Sequence, residues 1–237
     1  MKVLSTFEKA KRYIENKTID ITSQKKYNIG PCITISREAG AGSGLIADKL
    51  VEYLSFRQKD KSLEWGIFDK NLIEKVLEDN NLPLQLKKYL EEDKAPVLKT
   101  IMNELFGIHP SLISLEHKVS ETILELASIG NVIIIGRGGN LITKSLPNSF
   151  HVRLVAPVDI RIKNVRDFYG NSKQEAIDFI KSEDVKRQRF IMEHFRKRAD
   201  DPLLYNMVIN TSQFELDSVA RLIAESVIIK YPDFYDR

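Results

Sequence analysis

A glycine-rich run, Arg-Glu-Ala-Gly-Ala-Gly-Ser-Gly at residues 37–44, has the residue types that bind phosphate. Glycines let the backbone turn its N–H groups towards an anion, and a helix that begins after them adds unpaired N–H groups. Aligned on Gly42 with the pattern G-x-x-x-x-G-K-[ST], the run holds Ser43 at the lysine position and Arg37 at the first glycine position. The residues alone leave two interpretations open, a phosphate-binding loop and a tight strand-to-helix turn that binds nothing.

A second glycine loop places Arg137 between two glycines, directly after the clearest apolar run of the chain at 131–136. An arginine just past a buried parallel strand points a forked cation into the crevice where such sheets bind ligands, and it suits a phosphate. The alternative is a surface arginine in a glycine turn. Asp69 follows a weaker strand at 65–68, and it either contacts a substrate or caps the next helix.

Basic side chains dominate residues 181–198, which carry seven positive and three negative charges. On a helix Arg187 and Arg189 diverge by about 200°, so they share a phosphate only at a helix end, in a loop or with a ligand between elements. A solvated helix face and a nucleic-acid surface are the alternatives. Phe190 and Phe195 are the only phenylalanines here, too few for a platform on which bases stack, so we do not expect nucleic acid as a partner.

Short apolar runs alternate with helical patterns along the chain. The runs that predict strands are 32–36, 65–68, 131–136, 150–155 and 207–211, and the helical patterns cover 5–16, 45–54, 71–77, about 113–129, about 158–198 and 216–229. This alternation predicts an α/β fold with a mostly parallel sheet that is covered by helices on both faces. Ligands bind such folds at the carboxyl ends of the strands, where both glycine loops lie.

The bulk properties are those of an ordinary globular chain. It has 237 residues, a formal net charge of +3 and one cysteine, Cys32, which excludes an intrachain disulfide and fits a reducing, cytoplasmic setting. No run approaches the roughly 20 apolar residues of a membrane span and the N-terminus has no apolar signal core, so we expect a cytoplasmic protein without membrane contact. The four histidines are scattered, so we expect no dedicated metal site. Residues 1–28 are predicted to form a helical extension of one domain over 29–237.

Several segments, taken in order, resemble the cytidylate kinase-like family, relatives of bacterial cytidylate kinases. The resemblance covers roughly residues 31–230. It is carried by 33–42 (ITISREAGAG), 68–70 (FDK), 135–138 (IGRG), 150–157 (FHVRLVAP), Asp184-x-x-Arg187-x-Arg189 and 204–211 (LYNMVINT). The resemblance implies a P-loop kinase fold, which is a three-layer α/β domain with a helical substrate-binding region at about 70–130 and a basic lid at about 160–200.

The resemblance also implies roles for individual residues. The donor phosphates would bind at Gly40, Ala41, Gly42, Ser43, Gly44 and Leu45. The acceptor would contact Asp69, Arg137, Arg161 and Asp184, with Arg161 on the lid side. Arg37, Arg187 and Arg189 would act on the transferring phosphate. Two positions depart from the family pattern, because Ser43 stands in place of the P-loop lysine and Gly138 in place of the carboxylate of G-R-D.

The function implied by this resemblance is transfer of the γ-phosphoryl of ATP, with Mg²⁺, to a nucleoside monophosphate or a similar small acceptor. Closure of the basic lid would exclude water from the site. The missing lysine motivates the alternative, a catalytically degenerate nucleotide-binding regulatory protein, because that lysine neutralises the terminal phosphates during transfer.

Overall fold

The computed structural model describes residues 5–20, 29–79, 95–106 and 115–236. Its helices are α1 (Thr6–Asp20), α2 (Ser43–Arg57), α3 (Lys70–Glu78), α4 (Ala95–Phe106), α5 (Leu115–Ile129), α6 (Gly139–Ile142), α7 (Val158–Tyr169), α8 (Lys173–Phe195) and α9 (Leu216–Lys230). Its strands are β1 (Cys32–Arg37), β2 (Gly66–Phe68), β3 (Val132–Ile135), β4 (Ser149–Val155) and β5 (Met207–Asn210). Each apolar run that predicted a strand forms one.

The strands form one sheet in the order β2-β3-β1-β4-β5. β2 pairs in parallel with β3, with Gly66 opposite Val132, and β4 pairs in parallel with β5, with Val152 opposite Met207. Every residue of β3 is buried, as expected of a parallel strand whose two faces are both covered. The predicted fold class, an α/β fold with a parallel sheet flanked by helices, is confirmed.

The chain divides into two compact units. Unit 1 comprises Met1–Thr34 and Asp60–Ser149, and unit 2 comprises Ile35–Lys59 and Phe150–Arg237. Unit 2 therefore contains the whole glycine-rich run and the basic segment, whereas unit 1 contains Asp69 and Arg137. The predicted boundary at residue 28 stays a prediction, because residues 21–28 lie outside the described part of the chain.

In unit 1, helix α1 contributes to the buried core. Ala10, Tyr13 and Ile14 are the buried side chains of its apolar face. The Tyr13 ring lies edge-on to the ring of Phe68, with centroids 5.7 Å apart. Its hydroxyl donates to the carbonyl of Gly130 at 2.5 Å, so the phenol keeps a hydrogen bond while its ring is removed from water. The helix predicted over 5–16 thus packs on the body of unit 1.

In unit 2, the basic region predicted as helical over about 158–198 consists of two helices. Gly170 ends α7 in the left-handed conformation with φ of 70°, a conformation that glycine adopts without steric cost. Ser172 then caps α8, and its partner Glu175 completes a capping box. The two helices pack on each other and on the glycine-rich run through an apolar cluster of Ala39, Ile162, Val165, Ala176 and Ile180.

Among the residues that the structure describes, no helix combines the length and the apolar character needed to cross a membrane. The same residues contain no group of three or more His, Cys, Asp or Glu side chains that could hold a metal ion.

Candidate functional site

The glycine-rich run of unit 2 forms a loop between the end of β1 at Arg37 and the start of α2 at Ser43. Gly42 is the N-cap of α2, and no side chain caps the helix. The backbone N–H groups of Ser43, Gly44 and Leu45 donate to no acceptor in the described part of the chain. These unpaired donors and the positive end of the helix dipole together favour an anion at this place.

Two positions of the loop require glycine, and one does not. Gly40 and Gly42 have φ of 82° and 83°, in the left-handed region that L residues rarely adopt. A Cβ on Gly40 would lie 2.7 Å from the backbone oxygen of Arg161, whereas a Cβ on Gly44 would meet nothing within 4 Å. The backbone of the loop is therefore held close to α7, and its far end is open to solvent.

Arg161, on α7, is the main side chain that holds the loop. Its Nη1 donates to Asp184 Oδ2 at 2.5 Å and to the carbonyl of Ala39 at 3.3 Å. Its Nε donates to the carbonyl of Ala156 at 3.0 Å and lies 3.5 Å from Glu38 Oε2. The side chain is only 11% exposed, so this pairing satisfies a guanidinium that would otherwise be costly to bury. Its predicted role in substrate binding stays a prediction.

Asp184, on α8, completes the same network. Its Oδ1 accepts the backbone N–H of Ala39 at 2.8 Å, while its Oδ2 accepts from Arg161. Asn164 adds a further hydrogen bond to the loop, since its Nδ2 donates to the carbonyl of Gly40 at 2.8 Å. Helices α7 and α8 therefore fix the position of the loop through its backbone. Nothing in the sequence pattern indicated the holding roles of Glu38 and Asn164, because their partners are far away along the chain.

Both arginines to which the resemblance gives roles at the transferring phosphate, Arg187 and Arg189, lie on α8, and those roles stay predictions. Arg187 Nη1 donates to the carbonyl of Arg37 at 3.4 Å, and its Nη2 donates to Glu183 at 3.4 Å. Arg189 is exposed and forms no hydrogen bond or ion pair with the residues that the structure describes. Because α8 is continuous from Lys173 to Phe195, the two side chains diverge, and only Arg187 is brought to the glycine loop.

The acceptor-side candidates of unit 1 have local partners. Asp69 is the N-cap of α3, and its Oδ1 accepts the backbone N–H of Leu72 at 2.8 Å. Arg137 has a left-handed φ of 54°, and its Nη2 donates to the carboxylate of Glu74 on α3. Both alternatives for Asp69 stay open, since an N-cap at a strand end also faces the crevice side of a parallel sheet.

Burial shifts the pKa of a cysteine and of a histidine outside the loop. It raises the pKa of the Cys32 thiol to about 12, so the only cysteine stays protonated and is not a nucleophile. Burial, together with the charge of Lys230, lowers the pKa of His151 to about 4. His151 is therefore neutral at pH 7.

A sheet of strand order β2-β3-β1-β4-β5, with a glycine loop leading from the central strand β1 into α2, has the arrangement of the P-loop class of α/β folds. The family model of the cytidylate kinase-like family matches residues 32–213, and the chain belongs to that family. The match begins at β1 and includes the glycine loop, α7, α8 and β5. The resemblance stated from the sequence is thereby confirmed.

Individual relatives are distant. The cytidylate kinase of Thermococcus sibiricus is 23% identical over 202 residues, which are 85% of this chain and 90% of that protein. A crystal structure of an uncharacterized protein from Eubacterium ventriosum superposes with a TM-score of 0.64 at 20% identity, covering 83% of this chain and 97% of that one. It shows the fold alone. The uronate isomerase of Corynebacterium glutamicum is 27% identical over 110 residues, but the matched region spans only 21% of that protein.

Proposed function

We propose that this protein is a kinase that transfers the γ-phosphoryl group of ATP to a nucleoside monophosphate or a similar small acceptor. The observation that carries the proposal is the uncapped start of α2 behind two left-handed glycines, where the N–H groups of Ser43, Gly44 and Leu45 are free to bind phosphate oxygens. Membership of the cytidylate kinase-like family supports a nucleotide as the source of that phosphate.

The residues present fit the phosphates of ATP better than they fit a metal ion held by the protein. The unpaired N–H groups and the open space at Gly44 suit an anion. The carboxylates at the loop, Glu38 and Asp184, already pair with Arg161. Mg²⁺, which family membership implies, would therefore be held mainly by the phosphate oxygens of ATP, where it would neutralise charge during transfer.

Positive charge at the loop must come from arginine. The lysine that usually contacts the terminal phosphates is replaced by Ser43, and Arg161 is paired with two carboxylates. Arg187 reaches the backbone of Arg37; it is more exposed than Arg161 and is held by longer ion pairs, 3.4 Å to Glu183 and 3.9 Å to Asp184. We therefore propose that Arg187 and Arg37 stabilise the transferring phosphoryl group. Electrostatic stabilisation of this kind is the principal means by which kinases accelerate transfer.

Ser43 also supports a second candidate function, a nucleotide-binding regulatory protein without catalysis. The free N–H groups of the loop are sufficient for a phosphate to bind. Phosphoryl transfer also needs the positive charge that a lysine would bring. The two candidates therefore agree on nucleotide binding and differ on turnover.

The test combines calorimetric titration of ATP and Mg²⁺ with a coupled transfer assay against a panel of nucleoside monophosphates. The decisive variant is Gly44→Glu, because Gly44 is exposed, has open space for a side chain and lies in the first turn of α2. A carboxylate there favours the helix and repels phosphate. We expect Gly44→Glu to fold normally and to lose at least about tenfold in ATP affinity, whereas the control Gly44→Ala keeps it.

Each outcome has a distinct meaning. Transfer to a member of the panel establishes the kinase and identifies its acceptor. ATP binding without transfer to any member favours the regulatory protein. If ATP fails to bind, or if Gly44→Glu binds it as well as the wild type does, both functions assigned to this loop are overturned.

A further inference from the structure

A buried arginine without an acidic partner lies beside the glycine loop, within unit 2. Arg153 is in the middle of β4 and is only 7% exposed. It is directly followed by Leu154, whose carbonyl accepts the backbone N–H of Glu38 at 3.0 Å. The residue that follows Arg153 on β4 is thus hydrogen-bonded to the start of the glycine loop. The signal for it in the sequence is a charged residue inside the apolar run 150–155.

Two hydroxyl groups surround Arg153. Its Nη1 donates to Ser36 Oγ at 3.2 Å, and the guanidinium carbon lies 5.8 Å from the centre of the Tyr205 ring. The Tyr205 hydroxyl lies 2.7 Å from the carbonyl of Ala199 and 3.2 Å from Ser36 Oγ. A phenol has one proton, which goes to the carbonyl, so Ser36 accepts from Arg153 and donates to Tyr205. This chain of bonds fixes the orientation of all three side chains.

The charge of Arg153 is not compensated within the described residues. No carboxylate among them lies within 4 Å of its guanidinium, and its only hydrogen bond to them is the one to Ser36. Asp200 interacts electrostatically with Arg153, but its carboxylate pairs with Arg198 at 2.8 Å on the surface. A buried cation without an anion is strongly unfavourable, and an arginine stays charged rather than giving up its proton. A bound anion at this place would therefore be stabilised by the charge of Arg153.

We infer that the guanidinium of Arg153, positioned by Ser36 and Tyr205, forms a second anion subsite, which binds the phosphate group of the acceptor through its remaining N–H groups. Ser36 and Tyr205 are both partly exposed, so a ligand has access from their side. Ser36 immediately precedes Arg37, where the loop begins, which places this subsite next to the position proposed for the ATP phosphates. This inference rests on the proposed kinase function for the identity of the ligand, and it makes the acceptor a phosphate monoester rather than a neutral alcohol.

The test compares the wild type with Arg153→Met and with the matched control Arg198→Met, which removes an exposed arginine of the same unit. Inorganic phosphate is titrated by calorimetry over a saturating non-hydrolysable ATP analogue, at an ionic strength held constant with chloride. We expect Arg153→Met to weaken this phosphate binding at least tenfold and to raise KM for the acceptor at least tenfold. We expect the ATP affinity of Arg153→Met to stay unchanged. Its melting temperature stays unchanged or rises, because the variant no longer buries an unpaired charge.

A purely structural arginine gives the opposite pattern, with a lower melting temperature and unchanged phosphate binding, and that pattern overturns the inference. Tyr205→Phe keeps the ring and loses the hydroxyl that positions Ser36 and, through it, the guanidinium. It is expected to weaken phosphate binding severalfold, and it replaces Arg153→Met as the test if that variant does not fold. The two proposals fail separately. If Arg153→Met transfers the phosphoryl group with an unchanged KM for the acceptor, the subsite is overturned and the kinase function is not. If the protein does not bind ATP, phosphate is titrated without the analogue. Phosphate binding that still depends on Arg153 then overturns the proposed kinase function and leaves the subsite standing.

Discussion

At the scale of single residues, Ser43 determines how much charge the loop brings to a nucleotide. It is the first residue of α2, so a longer side chain at this place extends from the end of the helix towards the phosphate position. We predict that Ser43→Lys increases the transfer rate at least about tenfold, because a lysine there contacts the terminal phosphates in P-loop enzymes. The coupled assay measures the effect. Ser43→Met, of similar length and no charge, is the control, and an equal increase in Ser43→Met would contradict the electrostatic explanation.

Gly40 and Gly44 allow a matched comparison within the same loop. We predict that Gly40→Ala lowers the free energy of unfolding by about 2 kcal/mol, because its φ of 82° is unfavourable for alanine and the new methyl group meets the backbone of Arg161. Gly44→Ala has open space inside a helix, so we expect it to gain about 0.5 kcal/mol from helix propensity. Urea unfolding measures both. Equal effects in the two variants would mean that the loop does not require the left-handed conformation.

At the scale of elements, the sequence predicted strands and helices better than it predicted partners. The run 131–136 is continuous and β-branched, which is typical of a strand buried on both faces, and β3 forms there. The spacing of Arg187 and Arg189 predicted that they diverge on a helix, and α8 keeps them apart. The partners of Arg161 were not predictable, because Glu38 and Asp184 are brought to it only by the packing of α7 and α8 on the loop.

Asp184 joins α8 to the glycine loop, and this contact can be tested at the level of the element. Asp184→Asn leaves the shape of the side chain and removes the charge that pairs with the buried Arg161. We predict a loss of about 2 kcal/mol in the free energy of unfolding, with ATP affinity about tenfold weaker because the loop is less firmly held. Asp178→Asn is the control on the same helix, since Asp178 is exposed and, within the described part of the chain, its carboxylate accepts a hydrogen bond only from Gln174.

Thermal unfolding and calorimetry measure both effects of Asp184→Asn. The result that would contradict the holding role is a stable variant with wild-type ATP affinity. A stable variant with altered kinetics for the acceptor would instead support the contact between Asp184 and substrate that the family resemblance implies.

At the scale of the whole molecule, His151 makes the stability of the protein depend on pH. Its pKa in the folded protein is about 4, because burial and then the charge of Lys230 disfavour the imidazolium form, whereas an unfolded chain has a value near 6.5. Between these values the unfolded chain binds a proton that the folded protein excludes. The free energy of unfolding therefore falls as the pH is lowered from about 6.5 to about 4, by at most about 3 kcal/mol.

The measurement is urea unfolding between pH 7.5 and pH 4 for the wild type and for His151→Gln, which keeps a polar group and does not titrate. Carboxylates also titrate near pH 4, so the difference between the two proteins is the quantity that reports His151. We predict that the plots of the free energy of unfolding against pH run parallel for the two proteins above pH 7. Below pH 6 they converge or cross, because protonation of His151 stabilises the unfolded chain in the wild type alone. Curves that stay parallel to pH 4 would mean that His151 is protonated in the folded protein, where its ring must then find room for a charge beside Lys230.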